Sequence, residues 1–118
     1  MSDLNCHLEQ RIMTISMARA ACSNAFDDTL LQAIQDAVKE ADANPDVRVI
    51  VLKAEGKHFC AGADLNWMQR MHTYSKEENF KDSMVLAQTM AALYEARKPT
   101  VAIVQGCAYG GGAGLVAA

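Results

Sequence analysis

Apolar and polar positions alternate along this chain with two different periods, and the switches between them mark its elements. Residues 6–17, Cys-His-Leu-Glu-Gln-Arg-Ile-Met-Thr-Ile-Ser-Met, read as two short strands joined near Glu9 and Gln10, with Ile12, Ile15 and Met17 as strand fillers. Residues 18–26 read as a loop. Over Asp28–Ala43 the period becomes helical, and Leu30, Leu31, Ile34, Val38 and Ala41 form one apolar stripe. Asp27 or Asp28 caps this helix and Asn44-Pro45 ends it. Residues 47–53 are rich in Val and Ile and predict a strand, followed by a turn at Glu55-Gly56-Lys57. A short helix over 65–71 follows Asp64. Ser75 and Glu78 have capping-box spacing and open a long helix to about Arg97. Its predicted buried face is Phe80, Met84, Ala87, Ala91 and Tyr94. Arg97 and Lys98 suit its negative end, and Pro99 stops it. A strand over 101–105 and a helix from about Gly111 complete the order ββαβαβα, which indicates an α/β fold. There is no internal repeat, linker or low-complexity tract.

Composition narrows the function classes. The chain has 118 residues, 51% apolar and 21% charged, which suits one domain with a modest core and argues against disorder. Eleven basic and fourteen acidic residues give a formal charge of −3 with no basic block, so nucleic acid is not an expected partner. The longest apolar runs are too short to span a bilayer, and no membrane association is expected. The opening Met1-Ser-Asp-Leu-Asn-Cys-His has neither a basic n-region nor an apolar h-region, and a cytoplasmic location is expected. Cys6, Cys22, Cys60 and Cys107 show no CxxC spacing and read as free thiols. His7, His58 and His72 lack metal-ligand spacing, so no metal site is expected.

The candidate chemistry lies in two turns. Val101-Ala-Ile-Val-Gln105 leads into Gly110-Gly111-Gly112, and Val47-Arg-Val-Ile-Val-Leu-Lys53 leads into Phe59-Cys-Ala-Gly-Ala-Asp-Leu65. Each is a strand, a small-residue turn and a helix start. Small residues let a substrate approach the backbone, and a helix start offers unpaired N–H groups at its positive end. Two such turns facing one pocket can hold a developing oxyanion between two N–H donors. Cys60 lies inside the first turn, and its preferred reading is a small filler rather than a nucleophile. A dinucleotide-binding unit fits poorly, because Gly110-Gly-Gly-Ala-Gly114 lacks G-x-G-x-x-G spacing.

Phe59-Cys60-Ala61-Gly62-Ala63-Asp64-Leu65 resembles the pattern F-x-A-G-A-D-L of the crotonase superfamily, the enoyl-CoA hydratases and isomerases. Lys98-Pro99-Thr-Val-Ala102-Ile-Val104-Gln-Gly106-Cys-Ala108-Tyr-Gly110-Gly111-Gly112 resembles its second pattern, K-P-x-x-A-x-V-x-G-x-A-x-G-G-G, in the same order and at a similar separation. Arg19-Ala-Ala-Cys-Ser-Asn24-Ala25-Phe26 resembles R-P-x-x-x-N-A-[LF], with Ala20 in place of the proline. The resemblance implies a crotonase-like (ClpP/crotonase) ββα spiral, of which residues 1–118 form the N-terminal part of a single domain. A fragment or truncated product is therefore expected, since the sequence stops at an apolar point of a helix.

The same resemblance implies that the N–H groups of Ala63 and Gly111 form the oxyanion hole. It implies substrate contacts from Ala21, Ser23, Ala61, Gly62, Ala63, Asp64, Leu65, Tyr109, Gly111 and Gly114, with the loop 19–23 along the CoA arm. Arg19 is read either as a phosphate contact or as a surface cation. Asp64 reads as a helix N-cap rather than an acid. Trp67 and Met68 are candidate pocket residues with core as the plainer reading, and Leu65-Asn66-Trp67-Met68 is similar to branched-chain hydratases such as methylglutaconyl-CoA hydratase. The family's first catalytic Glu, in G-G-G-x-E, is replaced by Gly114; its second lies beyond Ala118. The implied reaction is hydration of a 2-enoyl-CoA, with isomerisation, or non-catalytic binding of acyl-CoA, as alternatives. Coenzyme A enters as part of the substrate with no separate cofactor. A trimer or a dimer of trimers is implied for the longer parent.

Overall fold

A computed structural model describes residues 3–118; Met1 and Ser2, part of the segment read for a targeting signal, lie outside the described residues. Strands β1 (Leu4–Glu9) and β2 (Ile12–Met17) pair antiparallel from Leu4↔Met17 to Glu9↔Ile12. The two residues between them, Gln10 and Arg11, both have positive φ (51° and 66°), the conformation that a tight two-residue hairpin demands.

Helix α1 (Asp28–Ala43) then crosses over to β3 (Val49–Ala54), which pairs parallel with β2. Asp27 caps α1 by accepting from the Leu30 N–H at 2.8 Å. The α1 stripe predicted from sequence is buried, and it joins Ile15, Met17, Ile50 and Leu52 in one core. Helices α2 (Leu65–His72) and α3 (Lys76–Glu95) lead to β4 (Thr100–Ala102), which pairs parallel with β3 to complete a four-stranded sheet, order β1-β2-β3-β4. Helix α4 (Gly111–Ala117) follows.

Three expectations are corrected. The first concerns α3, whose predicted buried face is exposed: Phe80 is 66% and Tyr94 74% accessible, and Met84, Ala87 and Ala91 share that side. The buried side carries Thr89 and Leu93, with Val85, Leu86 and Met90 against the core. The Thr89 hydroxyl lies 2.8 Å from Val85 O and 3.1 Å from Leu31 O, which satisfies it inside the α1–α3 contact. Both sides of α3 carry apolar residues, so periodicity could not choose between them. The Ser75–Glu78 capping box that opens α3 is formed.

The second concerns Lys98, which serves α1 rather than α3. Its ammonium donates to Ala41 O at 2.8 Å and to Asn44 O, at the negative end of α1. The third concerns the strand expected over 101–105. It ends at Ala102, and after Ile103 N–H bonds Leu52 O at 2.9 Å the chain leaves β3, which itself ends at Ala54. It then pairs with the first turn instead: Phe59 N–H donates to Gln105 O at 2.8 Å, and Cys60 bridges Ala108 in parallel.

Candidate active site

The loop before α1 is built around two residues. Asn24 is fully buried; its side chain donates to Glu55 O (2.7 Å) and His58 O (2.9 Å) and accepts from Arg19 N–H (2.8 Å), tying the loop to the exit of β3. Arg19 is not a free surface cation. Its guanidinium, on a side chain 18% exposed, lies 3.4 Å from Asp27, 3.2 Å from Asp64 and 3.7 Å from Asp3, and donates to Ala25 O at 2.8 Å. Asp27 caps α1 and Asp64 caps α2, so one cation joins two helix starts.

The first turn uses up three of four successive N–H groups. Ala61 donates to Ser23 O (3.0 Å), Gly62 to Cys60 Sγ (3.4 Å) and Asp64 to Phe26 O (2.7 Å). Among the described residues the Ala63 N–H has no acceptor. In the second turn, Tyr109 N–H donates to Cys60 O (3.0 Å) and Gly112 N–H to Tyr109 O (2.8 Å), which leaves the Gly110 and Gly111 N–H groups without acceptors among the described residues. Gly110 holds φ 52° and ψ −121°, a region closed to side-chain-bearing residues without strain. Gly111 has no room for a side chain: a methyl group there would lie 2.3 Å from Phe26 Cζ.

Both turns open onto one cleft of about 700 Å³. Of the predicted contacts, Ala61, Gly62, Ala63, Asp64, Leu65 and Gly111 line it together. Cys22, Ala25, Asn66, Met68 and Gly110 also line it. Met68 is a pocket candidate from sequence and Gly110 stands in the glycine motif; Cys22, Ala25 and Asn66 fall inside motifs without being candidate contacts, and the loop's path brings them to the cleft. Four predicted contacts stand outside the lining. Ser23 contributes its carbonyl to Ala61, and Ala21 is exposed one position from Cys22. Tyr109 is 63% exposed, with its hydroxyl 3.3 Å from Cys107 Sγ. Gly114 faces Met90, whose Cε would stand 3.0 Å from a methyl group placed there. Trp67 belongs to the core: it packs edge-on to Phe26 at 6.1 Å and donates from Nε1 to Asp82 Oδ2 at 2.9 Å.

Among the described residues Asp64 is the one carboxylate lining the cleft, and both its oxygens are engaged. Oδ1 accepts from Asn66 N–H (2.8 Å) and Trp67 N–H (3.2 Å), while Oδ2 meets Arg19. It is an N-cap in the geometry expected from sequence. Cys60 is wholly buried, and burial pushes its thiol pKa up, partly offset by the bond with Gly62. A buried, protonated thiol is a poor nucleophile. Brief alkylation of the native protein at mildly alkaline pH should therefore label exposed Cys22 well before Cys60, as read by peptide mass spectrometry. Equal labelling would contradict the filler assignment.

Among the described residues no cluster of three or more His, Cys, Asp or Glu side chains could hold a metal ion, and no helix is long and apolar enough to cross a membrane. Residues 7–118 match the sequence pattern of the enoyl-CoA hydratase/isomerase family. A peroxisomal Δ(3,5)-Δ(2,4)-dienoyl-CoA isomerase from Arabidopsis thaliana is 39% identical over 121 residues, covering 93% of this chain and 43% of that protein. Among solved structures, an enoyl-CoA hydratase from Shewanella pealeana superimposes with a TM-score of 0.94 at 36% identity, over 97% of this chain and 43% of that one. A Legionella pneumophila protein assigned to the enoyl-CoA hydratase/isomerase (crotonase) group gives 0.94 at 48% identity, over 98% and 44%. The chain thus spans less than half the length of these relatives.

Proposed function

The chain belongs to the enoyl-CoA hydratase/isomerase family and has the crotonase fold, and from that premise we propose that its cleft holds the thioester carbonyl oxygen of a 2-enoyl-CoA during addition of water. The observation that carries this reading is the pair of N–H groups, on Ala63 and Gly111, left without acceptors in turns that line the same cleft. The flanking N–H groups of Ala61, Gly62 and Asp64 are bonded within the protein. Two preorganised donors are what an oxygen that gains charge in the transition state requires.

In the reaction, the water oxygen bonds to C3 and loses a proton to a base. The C2=C3 π electrons move onto the thioester as an enolate, whose oxygen the two N–H groups stabilise, and C2 then takes up a proton. No electrons enter or leave, so the balance calls for no redox cofactor, and coenzyme A takes part as the substrate's carrier. Asp64 is fully engaged and Gly114 carries no carboxylate, so the base and acid come from elsewhere in the working protein. The exposed apolar side chains of Leu65 (73%) and Met68 (44%) at the cleft support a branched acyl group, such as that of 3-methylglutaconyl-CoA from leucine or isoprenoid breakdown. The free thiols support a cytoplasmic setting, and the working protein assembles as a trimer or a dimer of trimers.

Two other readings have specific support. The likeness to a dienoyl-CoA isomerase favours proton transfer along the same enolate without water addition. Among the described residues no unengaged carboxylate lines the cleft, which favours acyl-CoA binding without turnover. One assay separates them, following the near-ultraviolet absorbance of the conjugated enoyl thioester with 2-enoyl-, 3-methylglutaconyl- and 3-enoyl-CoA. Loss of absorbance from the 2-enoyl substrates is the expected result. A gain from the 3-enoyl substrate alone means isomerisation, and saturable binding with neither change means a binding module.

A further inference from the structure

We infer that Phe26 is the positioning residue that sets the two oxyanion donors against each other, an inference that rests on the functional reading above. Phe26 touches both donor turns, one through its main chain and the other through its ring. Its N–H donates to Gly62 O at 2.9 Å and its carbonyl accepts from Asp64 N–H at 2.7 Å. These two bonds make a parallel bridge between Phe26 and Ala63. In such a bridge the partner residue between the two bonded groups turns its own N–H to the other side. Pairing with Phe26 is thus what leaves the Ala63 N–H unspent and fixes its direction.

The ring acts on the second turn. It is 1% exposed, and its Cζ and Cε2 lie 2.3 and 2.8 Å from where a methyl group on Gly111 would stand. The ring is therefore seated against the Gly111 backbone itself. The ring also meets Trp67 at 6.1 Å and 64°, and Trp67 is anchored by its bond to Asp82. A ring held in this way cannot withdraw, so Gly111 cannot approach the first turn. Side-chain size at position 26 then determines the gap in which the oxygen sits. A misplacement of 1 Å in such a constellation costs on the order of 100-fold in rate.

The test compares Phe26→Leu and Phe26→Ala, which keep the main-chain bridge and shorten the spacer by steps, in the protein as its organism produces it. Ile34→Ala on α1, outside the cleft, serves as a destabilised control. The probes are butyryl-CoA, a saturated ground-state thioester, and acetoacetyl-CoA, whose enolate absorbs in the near ultraviolet and needs both donors. We expect butyryl-CoA affinity to change less than threefold. The bound enolate fraction and kcat should fall together, by about tenfold for Leu and about 100-fold for Ala. The Ile34→Ala control should lower Tm without moving the enolate signal. If Phe26→Leu lowers Tm but leaves the enolate signal and kcat intact, Phe26 is packing alone and the inference is overturned. If the unaltered protein binds butyryl-CoA yet never stabilises the enolate, the functional reading itself fails, and this inference with it.

Discussion

Gly111→Pro is expected to lower turnover of a 2-enoyl-CoA by about 10²–10³-fold, the loss seen when one oxyanion donor is removed. Proline is suited to the first position of a helix, where Gly111 stands at the start of α4, and it deletes an N–H that has no acceptor among the described residues. It also adds a carbon close to Phe26, since a methyl group at this position lies 2.3 Å from Cζ. That overpacking destabilises by about 1–3 kcal/mol. Gly111→Ala adds a carbon at the same place and keeps the N–H, so it isolates the steric part. The proline variant should lose clearly more kcat than the alanine variant while both unfold at similarly reduced temperatures. Equal kcat losses would mean that crowding, not the missing donor, explains the effect, and the oxyanion assignment to Gly111 would fall.

The second large effect is expected at Arg19. Its side chain is 18% exposed and meets those of Asp27 and Asp64, 20% and 12% exposed, while each of those carboxylates caps a helix. Removing one partner of a partly buried pair leaves charge poorly compensated, so Arg19→Met should destabilise by about 2 kcal/mol and lower Tm by roughly 8 °C. The mechanism is checked in a second background. Asp64→Asn retains a cap oxygen but removes the charge, so Arg19→Met should cost less in that background than alone. An identical cost in both backgrounds, measured by denaturant unfolding, would show that the pair carries none of the effect.

The elements were legible where one physical signal dominated. The α1 stripe and its stop at Asn44-Pro45 agree with the structure, which also settles its cap, open between Asp27 and Asp28 in the sequence, on Asp27, because helical periodicity and capping chemistry are local. The Asp64 cap and the Ser75–Glu78 box were legible for the same reason. The buried face of α3 was not, because apolar residues lie on both sides and only docking on α1 selects Thr89 and Leu93 over Phe80 and Tyr94. Lys98 was assigned to the wrong helix for a similar reason: its sequence neighbour is α3, but the carbonyls it reaches belong to α1.

The candidate site divides along the same line. By itself the sequence determined where the two small-residue turns fall, that each lies ahead of a helix, and that the glycine position after the motif carries no carboxylate. Those are properties of neighbouring residues, and composition and spacing encode them. Which N–H groups remain unspent was decided only by the tertiary structure. That selection depends on Ser23, Cys60 and Phe26 taking up the N–H groups of Ala61, Gly62 and Asp64. Tertiary packing likewise made Arg19 the link between two helix caps. Hydrogen-bond partners and ion pairs across tens of residues depend on distances that the folded chain alone creates, and no local pattern carries them.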